Sequence, residues 1–261
     1  MSAPEKPPAR RRDNPTPSLR PERRRAGPRQ LSFAVLPPVE PSLQPVVPLR
    51  HLWFCIFLPS LPLEALIDSP EPAAVFEDQQ GVRKILLANP PAVAAGVGPG
   101  LTVNAALALM PGLRLEERDP LREARVLTEL AEWTEKFTSF TCIEPPSLLL
   151  LEIAGSLKLF GGLQAFRERI VRGLDSQGFS ASVAIAPTPL AATWLARAGR
   201  RACVRDPGNL AGRLAPLPLS CLDWPERLWE ALRGMGITTL GDVLRLPRSG
   251  FAKRFGANRL L

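Results

Sequence analysis

Four cysteines and one histidine are the residues of this 261-residue chain best suited to soft-metal or nucleophilic chemistry, and their placement argues against both. Cys55, Cys142, Cys203 and Cys221 form no CxxC pair, so neither a zinc site nor a dithiol redox motif is readable. His51 stands alone, which excludes a histidine dyad and any site needing several imidazole ligands. The thiols read as buried side chains of a reducing, cytoplasmic compartment. Glu64, Asp68, Glu144 and Glu152 could offer oxygen ligands, but their spacing matches no metal motif, and neither a metal nor another cofactor is expected. A different chemistry is suggested near the C-terminal end, where Gly234-Met235-Gly236-Ile237 lies between two helical patterns. Two glycines let a backbone approach a phosphate closely, and the N–H groups that open the next helix favour an anion. The residues expected to contact DNA in this way are Arg233, Gly234, Gly236, Thr239 and Arg254, with Arg245, Arg248 and Lys253 adding charge. Such contacts would hold a duplex without reading its bases.

A turn of this kind needs a folded body to present it, and from residue 52 the sequence alternates strand and helix signals. Residues 52–58 are an apolar run closed by Pro59, the pattern of a buried strand, and residues 61–67 suit a short helix. Residues 73–77 and 83–88 flank Asp78-Gln79-Gln80-Gly81 as a hairpin. A helix over 101–109 has Thr102 as N-cap, and a longer one over 120–139 starts with Pro120 after Asp119. Strands over 140–143 and 148–153 flank Pro145-Pro146; a helix over 164–177, a strand over 181–185 and a helix over 189–198 follow. Together these make an α+β domain of the β-α-β-β-α-β kind. The expected division is 51–89 with 116–209 for the sheet domain, 90–115 for a small helical insertion, and 210–261 for a helix-hairpin-helix unit.

Charge adds less than its total suggests. The formal net charge is +8 with a pI near 10.1, yet residues 1–50 carry ten bases against four acids, together with 12 of the 30 prolines. That composition is expected of a disordered basic leader able to add sequence-independent phosphate affinity. The apolar runs at 52–58 and 148–151 fall far short of the roughly 20 residues of a membrane span.

Three stretches carry a family resemblance: Trp53-Phe54-Cys55-Ile56-Phe57-Leu58-Pro59-Ser60-Leu61-Pro62-Leu63-Glu64, then Ala95-Gly96-Val97-Gly98-Pro99-Gly100-Leu101 with Ala105-Ala106, and Glu152-Ile153-Ala154-Gly155-Ser156-Leu157-Lys158-Leu159-Phe160-Gly161-Gly162. With the helix-hairpin-helix where a thumb belongs, residues 52–261 resemble the Y-family translesion DNA polymerases, and among them the ImuB branch. The resemblance implies a palm built on the β-α-β-β-α-β sheet, a small helical fingers insertion and a helical thumb. It also implies two divalent ions held by carboxylates on adjacent palm strands. Counted back from Glu64, the carboxylate places of the first strand hold Cys55 and Phe57; counted back from Glu152, those of the second hold Ser147 and Leu148. Ser60 falls where the family has an aromatic that excludes a ribose hydroxyl. Pro90, Val93 and Thr193 fall where Tyr, Arg and Lys contact the triphosphate.

Joint loss of metal ligands, sugar gate and triphosphate contacts implies a polymerase-like protein without catalysis, acting in SOS-induced mutagenic synthesis and DNA repair. Its implied partners are primer-template DNA, an error-prone replicative-type polymerase, the sliding clamp and a RecA-like accessory protein. Two other readings are an active, divergent polymerase whose carboxylates lie in another register, and a binding-only fragment, because family members continue past this point into a little finger and a C-terminal tail.

Overall fold

A computed structural model describes residues 51–247. The leader expected over residues 1–50, and Arg248, Lys253 and Arg254, lie outside the described residues. In chain order the elements are β1 (Trp53–Phe57), α1 (Leu61–Glu64), β2 (Ala73–Gln79), β3 (Val82–Ala88), α2 (Pro90–Ala94), α3 (Val103–Leu109), β4 (Arg114–Glu117) and α4 (Pro120–Thr134). They continue as β5 (Thr141–Glu144), β6 (Leu148–Glu152), α5 (Leu163–Asp175), β7 (Ser182–Ala186), α6 (Pro189–Arg197), α7 (Leu210–Leu214), α8 (Glu226–Gly234) and α9 (Leu240–Leu244).

The main sheet has the order β5-β6-β1-β7 with every pair antiparallel. Its chain path β1-α4-β5-β6-α5-β7 is the β-α-β-β-α-β arrangement expected from the sequence. Because side chains alternate across a strand, β1 sends Phe54, Ile56 and Leu58 to one face and Cys55 to the other. The first set packs with Leu149, Leu151 and Ile153 against Leu127 and Leu130 of α4 and Phe166 and Ile170 of α5. The second packs with Leu148 and Leu150 against Ala192 and Leu195 of α6, and with Leu217, Cys221, Leu228 and Leu232 beyond it. Burial on both faces is why β6 reads as an uninterrupted run of leucines.

A separate three-stranded sheet has the order β3-β2-β4. Here the structure corrects the sequence-based division: the β2–β3 hairpin does not extend the main sheet. It closes through Gln80 and Gly81, both at positive φ (59° and 84°), as a two-residue turn requires. β2 then pairs in parallel with β4, and the hairpin shares a core of Ala74, Ile85, Ala92, Val97, Ala106 and Leu113 with α2 and α3. β4 escapes sequence reading because Arg-Leu-Glu-Glu carries too little apolar periodicity to read as a strand. The small unit is tied by Asn89, the buried N-cap of α2. Its Oδ1 accepts from Ala73 N–H (3.0 Å) and Ala92 N–H (3.2 Å), while its amide donates to the Glu71 carbonyl (2.6 Å).

The helix expected over 120–139 stops at Thr134, whose hydroxyl donates to the Ala131 carbonyl, and the chain then turns Phe137 into an aromatic cluster with Trp133, Phe160 and Phe166. Among the described residues no helix is long and apolar enough to cross a membrane.

Candidate functional site

The central strands bring together most of the positions singled out in the sequence. Cys55 is fully buried opposite Leu150 on β6 and Ala184 on β7. Phe57 pairs with Leu148 and Ser182. Ser147 lies just before β6, where its carbonyl accepts from Leu58 N–H (2.9 Å). Thr193 reaches Cys55 from α6 and hydrogen-bonds its thiol. Burial pushes that thiol from 9.0 up to about 12, against the Thr193 hydrogen bond and the Arg197 guanidinium, so at neutral pH it is a neutral S–H in a nonpolar layer. Glu144, at the exposed end of β5, is the carboxylate whose charge reaches this thiol. Glu152 sits at the far end of the ladder, where its Oε1 accepts from Leu52 N–H (3.1 Å) and Ala154 N–H (3.2 Å), a structural employment. Among the described residues no three His, Cys, Asp or Glu side chains gather as a metal site.

Beside Thr193 a cavity of about 300 Å³ is lined by Leu148, Leu150, Trp194, Arg197 and Asp223. The Arg197 Nη2 lies 3.5 Å from Asp223 Oδ2, and its buried Nε has no partner among the described residues. Sequence reasoning missed this pair, because an arginine ending a helix and an aspartate in a loop read as solvated charges.

Ser60, Pro90 and Val93 meet in a different place. They line a cleft of about 730 Å³ bordered by α1, the start of α2 and the loop before β7, together with Glu64, Asp68 and Asn89. Burial pushes the Glu64 carboxyl up, although its Oε2 accepts from Ser180 N–H (3.0 Å). The cleft holds two carboxylates, and its lining includes no Lys or Arg. Thr193 does not reach it, so the four nucleotide-contact positions divide between two sites.

At the C-terminal turn the helices form as expected, but the backbone donors assigned to a phosphate are engaged internally. Gly236 N–H donates to the Arg233 carbonyl (2.9 Å) and Ile237 N–H to Leu232 (3.0 Å), closing α8 with Gly236 at φ 75°. Thr238 and Thr239 N–H both donate to Asp242 Oδ2 (3.2 and 2.9 Å), while Leu240 and Gly241 N–H donate to the carbonyls of Leu217 (2.9 Å) and Ala215 (2.8 Å). Thr239 Oγ1 accepts from Asp242 N–H, completing a capping box. Hydrogen bonds from Thr239 hold the Asp242 carboxyl well below the usual carboxylate range. A carboxylate thus occupies the anion position of α9. Gly234 has open space where a Cβ would stand, so its lack of a side chain is not needed for packing. The Arg233 guanidinium lies 4.8 Å over the Trp229 ring, and Arg245 pairs with Asp242.

Comparison with known proteins places this architecture. Residues 64–197, just over half of the chain, match the impB/mucB/samB family. The chain belongs to the impB/mucB/samB family. Its matched region includes Pro90, Val93, Ser147, Leu148 and Thr193, whereas β1 and Ser60 precede it. Protein ImuB of Caulobacter vibrioides (strains NA1000 / CB15N and ATCC 19089) is 35% identical over 166 residues, which are 64% of this chain and 36% of the relative. The chain therefore spans about a third of the length of the curated relatives it matches. Among solved structures, DinB from Sulfolobus solfataricus superposes with a TM-score of 0.61 at 16% identity over 80% of this chain and 64% of that one. Dbh DNA polymerase in a post-insertion binary complex does so with a TM-score of 0.63 at 16% identity over the same shares. At this identity the likeness concerns the fold, which in this impB/mucB/samB chain is that of a Y-family palm and fingers region.

Proposed function

We propose that this chain is a non-catalytic, DNA-holding component of SOS-induced translesion synthesis and DNA repair. The observation that carries the reading is the chemistry of the two central strands. Cys55, Phe57 and Leu148 form a nonpolar layer with a protonated thiol where a polymerase of this fold places carboxylates. Two divalent ions of the hard, oxygen-seeking kind do not fit a thiol, a phenyl ring, a leucine and Ser147, so these strands support no metal-assisted step. Ser60, Pro90 and Val93 likewise offer a triphosphate neither cation nor aromatic ring, and Glu64 and Asp68 in the same cleft would repel it.

In this reading residues 51–72 and 116–209 are palm-like, and residues 90–115 together with the β2–β3 hairpin are fingers-like. The thumb-like helix-hairpin-helix assigned to residues 210–261 has α8 and α9 in its described part, which ends at residue 247. Because its backbone donors are engaged, DNA contact there falls to side chains, Arg233 and Arg254 first, with Gly236 and Thr239 shaping the turn. The relatives' solved complexes of Dbh DNA polymerase support DNA as the partner. An error-prone polymerase, the sliding clamp and a RecA-like protein complete the proposed assembly, in the cytoplasm.

A primer-extension assay with Mg²⁺ or Mn²⁺ tests the reading, and no incorporation is expected. Incorporation abolished by replacing Glu64, Asp68, Glu144 or Glu152 would overturn it in favour of a divergent active polymerase. Filter binding across salt concentrations tests the DNA role, with a negative log-log slope expected; no binding at low salt refutes it.

A further inference from the structure

The charges of the folded region are unevenly distributed. Residues 51–159 carry eight bases and fourteen acids, whereas residues 160–215 carry eight arginines, no lysine and three acids. Part of this arginine-rich stretch surrounds an open sheet edge. β7 is the outer strand of the main sheet, and among the described residues one end of its outer side is covered: Ile185 N–H donates to the Ala202 carbonyl (2.9 Å) and its carbonyl accepts from Val204 N–H (2.8 Å). Backbone groups of alternate residues face the same edge, so the N–H and C=O of Val183 point outward beside Ile185; Val183 is only 4% exposed, and a partner reaches it through the recess alone. There they border a recess of about 420 Å³ lined by Arg167, Arg172, Arg201, Gln164, Val171 and Val183. A second recess of about 520 Å³, next along residues 203–213, is lined by Arg205 and Arg213. Arg167, Arg201, Arg205 and Arg213 make no ion pair among the described residues, while Glu168 is engaged by Gln164 and Arg172.

We infer that this edge is a docking site for an extended acidic segment of a partner protein. The segment would add as a strand beside β7, exchanging main-chain hydrogen bonds with Val183 while its carboxylates meet Arg167 and Arg201. The chemistry selects a peptide over nucleic acid. An outward carbonyl next to an outward N–H complements another backbone, whereas phosphates would meet that carbonyl as a second acceptor. The arginines also ring a recess with valine walls rather than project from a convex surface. The chain's own leader is an unsuitable occupant, since it is as basic as the site. This inference is independent of whether the chain holds DNA or extends primers.

The test uses the full chain and a fluorescein-labelled twelve-residue peptide of alternating Glu and Val, read by anisotropy, with a thymidine dodecamer as the nucleic-acid arm. The basic leader attracts both probes, so the informative quantities are the difference between wild type and the Arg167→Glu, Arg201→Glu double variant, and amide exchange at residues 181–184. Expected are peptide binding weakened about tenfold or more in the variant, and slowed exchange at Val183 in the wild type. Equal peptide affinity in wild type and variant, or unchanged exchange at Val183 under saturating peptide, overturns the inference. So does a dodecamer whose binding shows the same variant sensitivity and the same slowing, which would make the edge a nucleic-acid surface. If the double variant fails to fold, Arg167→Gln, Arg201→Gln and the wild-type exchange measurement carry the test.

Discussion

Returning a carboxylate to the first central strand tests how nonpolar that strand's surroundings are. In the Cys55→Asp variant the new side chain occupies a position with no exposed surface, packed among Leu148, Leu150, Ala184 and Leu195. Burial there lifts a thiol from 9.0 to about 12. A carboxyl raised by the same amount would titrate near about pH 7 instead of about 3.9, corresponding to about 4 kcal/mol once the unfolded chain is fully ionised. The sign follows from proton counts. Between about pH 4 and pH 7 the folded variant holds a proton that the unfolded chain has released, so stability falls as pH rises through that window and levels off above it. Cys55→Asn has the same shape and does not titrate, and so isolates the charge from the volume change. Urea denaturation from pH 4 to pH 8 should show the two variants converging at the acid end and separating by about 4 kcal/mol above pH 7. In a domain of this size that corresponds to roughly 10 °C in Tm. Parallel behaviour of Asp and Asn across the whole range would mean that Cys55 is hydrated, and the argument from a nonpolar layer would fail. Selective recovery of the Asp variant by 10 mM Mg²⁺ or Mn²⁺ would reveal a latent metal site and count equally against it.

Other expectations concern the parts that frame this layer. Asn89→Ala removes the cap of α2 and leaves buried N–H groups of Ala73 and Ala92 without acceptors; a loss of about 2–3 kcal/mol is expected in urea unfolding. Arg118→Met unpairs the buried Glu123, which Arg118 grips with Nε at 2.7 Å and Nη2 at 3.0 Å. With Arg118 partly exposed, the expected cost is about 2–3 kcal/mol rather than the full value of a buried pair, measured the same way. Asp242, whose folded carboxyl titrates well below its unfolded value, contributes stability that is fully present above about pH 4 and lost as pH falls through the folded value. Asp242→Asn should therefore flatten the acid limb of the stability curve while leaving its neutral limb parallel to wild type. Arg233→Gln should lower the magnitude of the salt slope for DNA by about 1 if its guanidinium meets a phosphate, and leave it unchanged if stacking on Trp229 is its whole role.

What could be read from the chain alone was what short-range physics encodes. Thr102 and Asp119 cap the helices they were expected to cap, because an N-cap bond spans two or three residues. The apolar runs at Trp53–Phe57 and Leu148–Glu152 announced strands buried on both faces, and the residue types at Cys55, Phe57, Ser147 and Leu148 already lacked carboxylates. Tertiary structure alone decided the arrangements set by distant partners. The β2–β3 hairpin left the main sheet for β4, whose four residues form a strand because β2 offers them a ladder. Thr193 met Cys55 rather than the cleft of Ser60 and Pro90 because α6 packs on the opposite side of the central strands from α4 and α5. At the Gly234–Gly236 turn, local pattern correctly announced two helices and a tight connection. Gly236, Ile237, Thr238 and Thr239 N–H find acceptors within five residues, but those of Leu240 and Gly241 are the carbonyls of Leu217 and Ala215, from a distant part of the chain that approaches α9 only once the C-terminal core has closed.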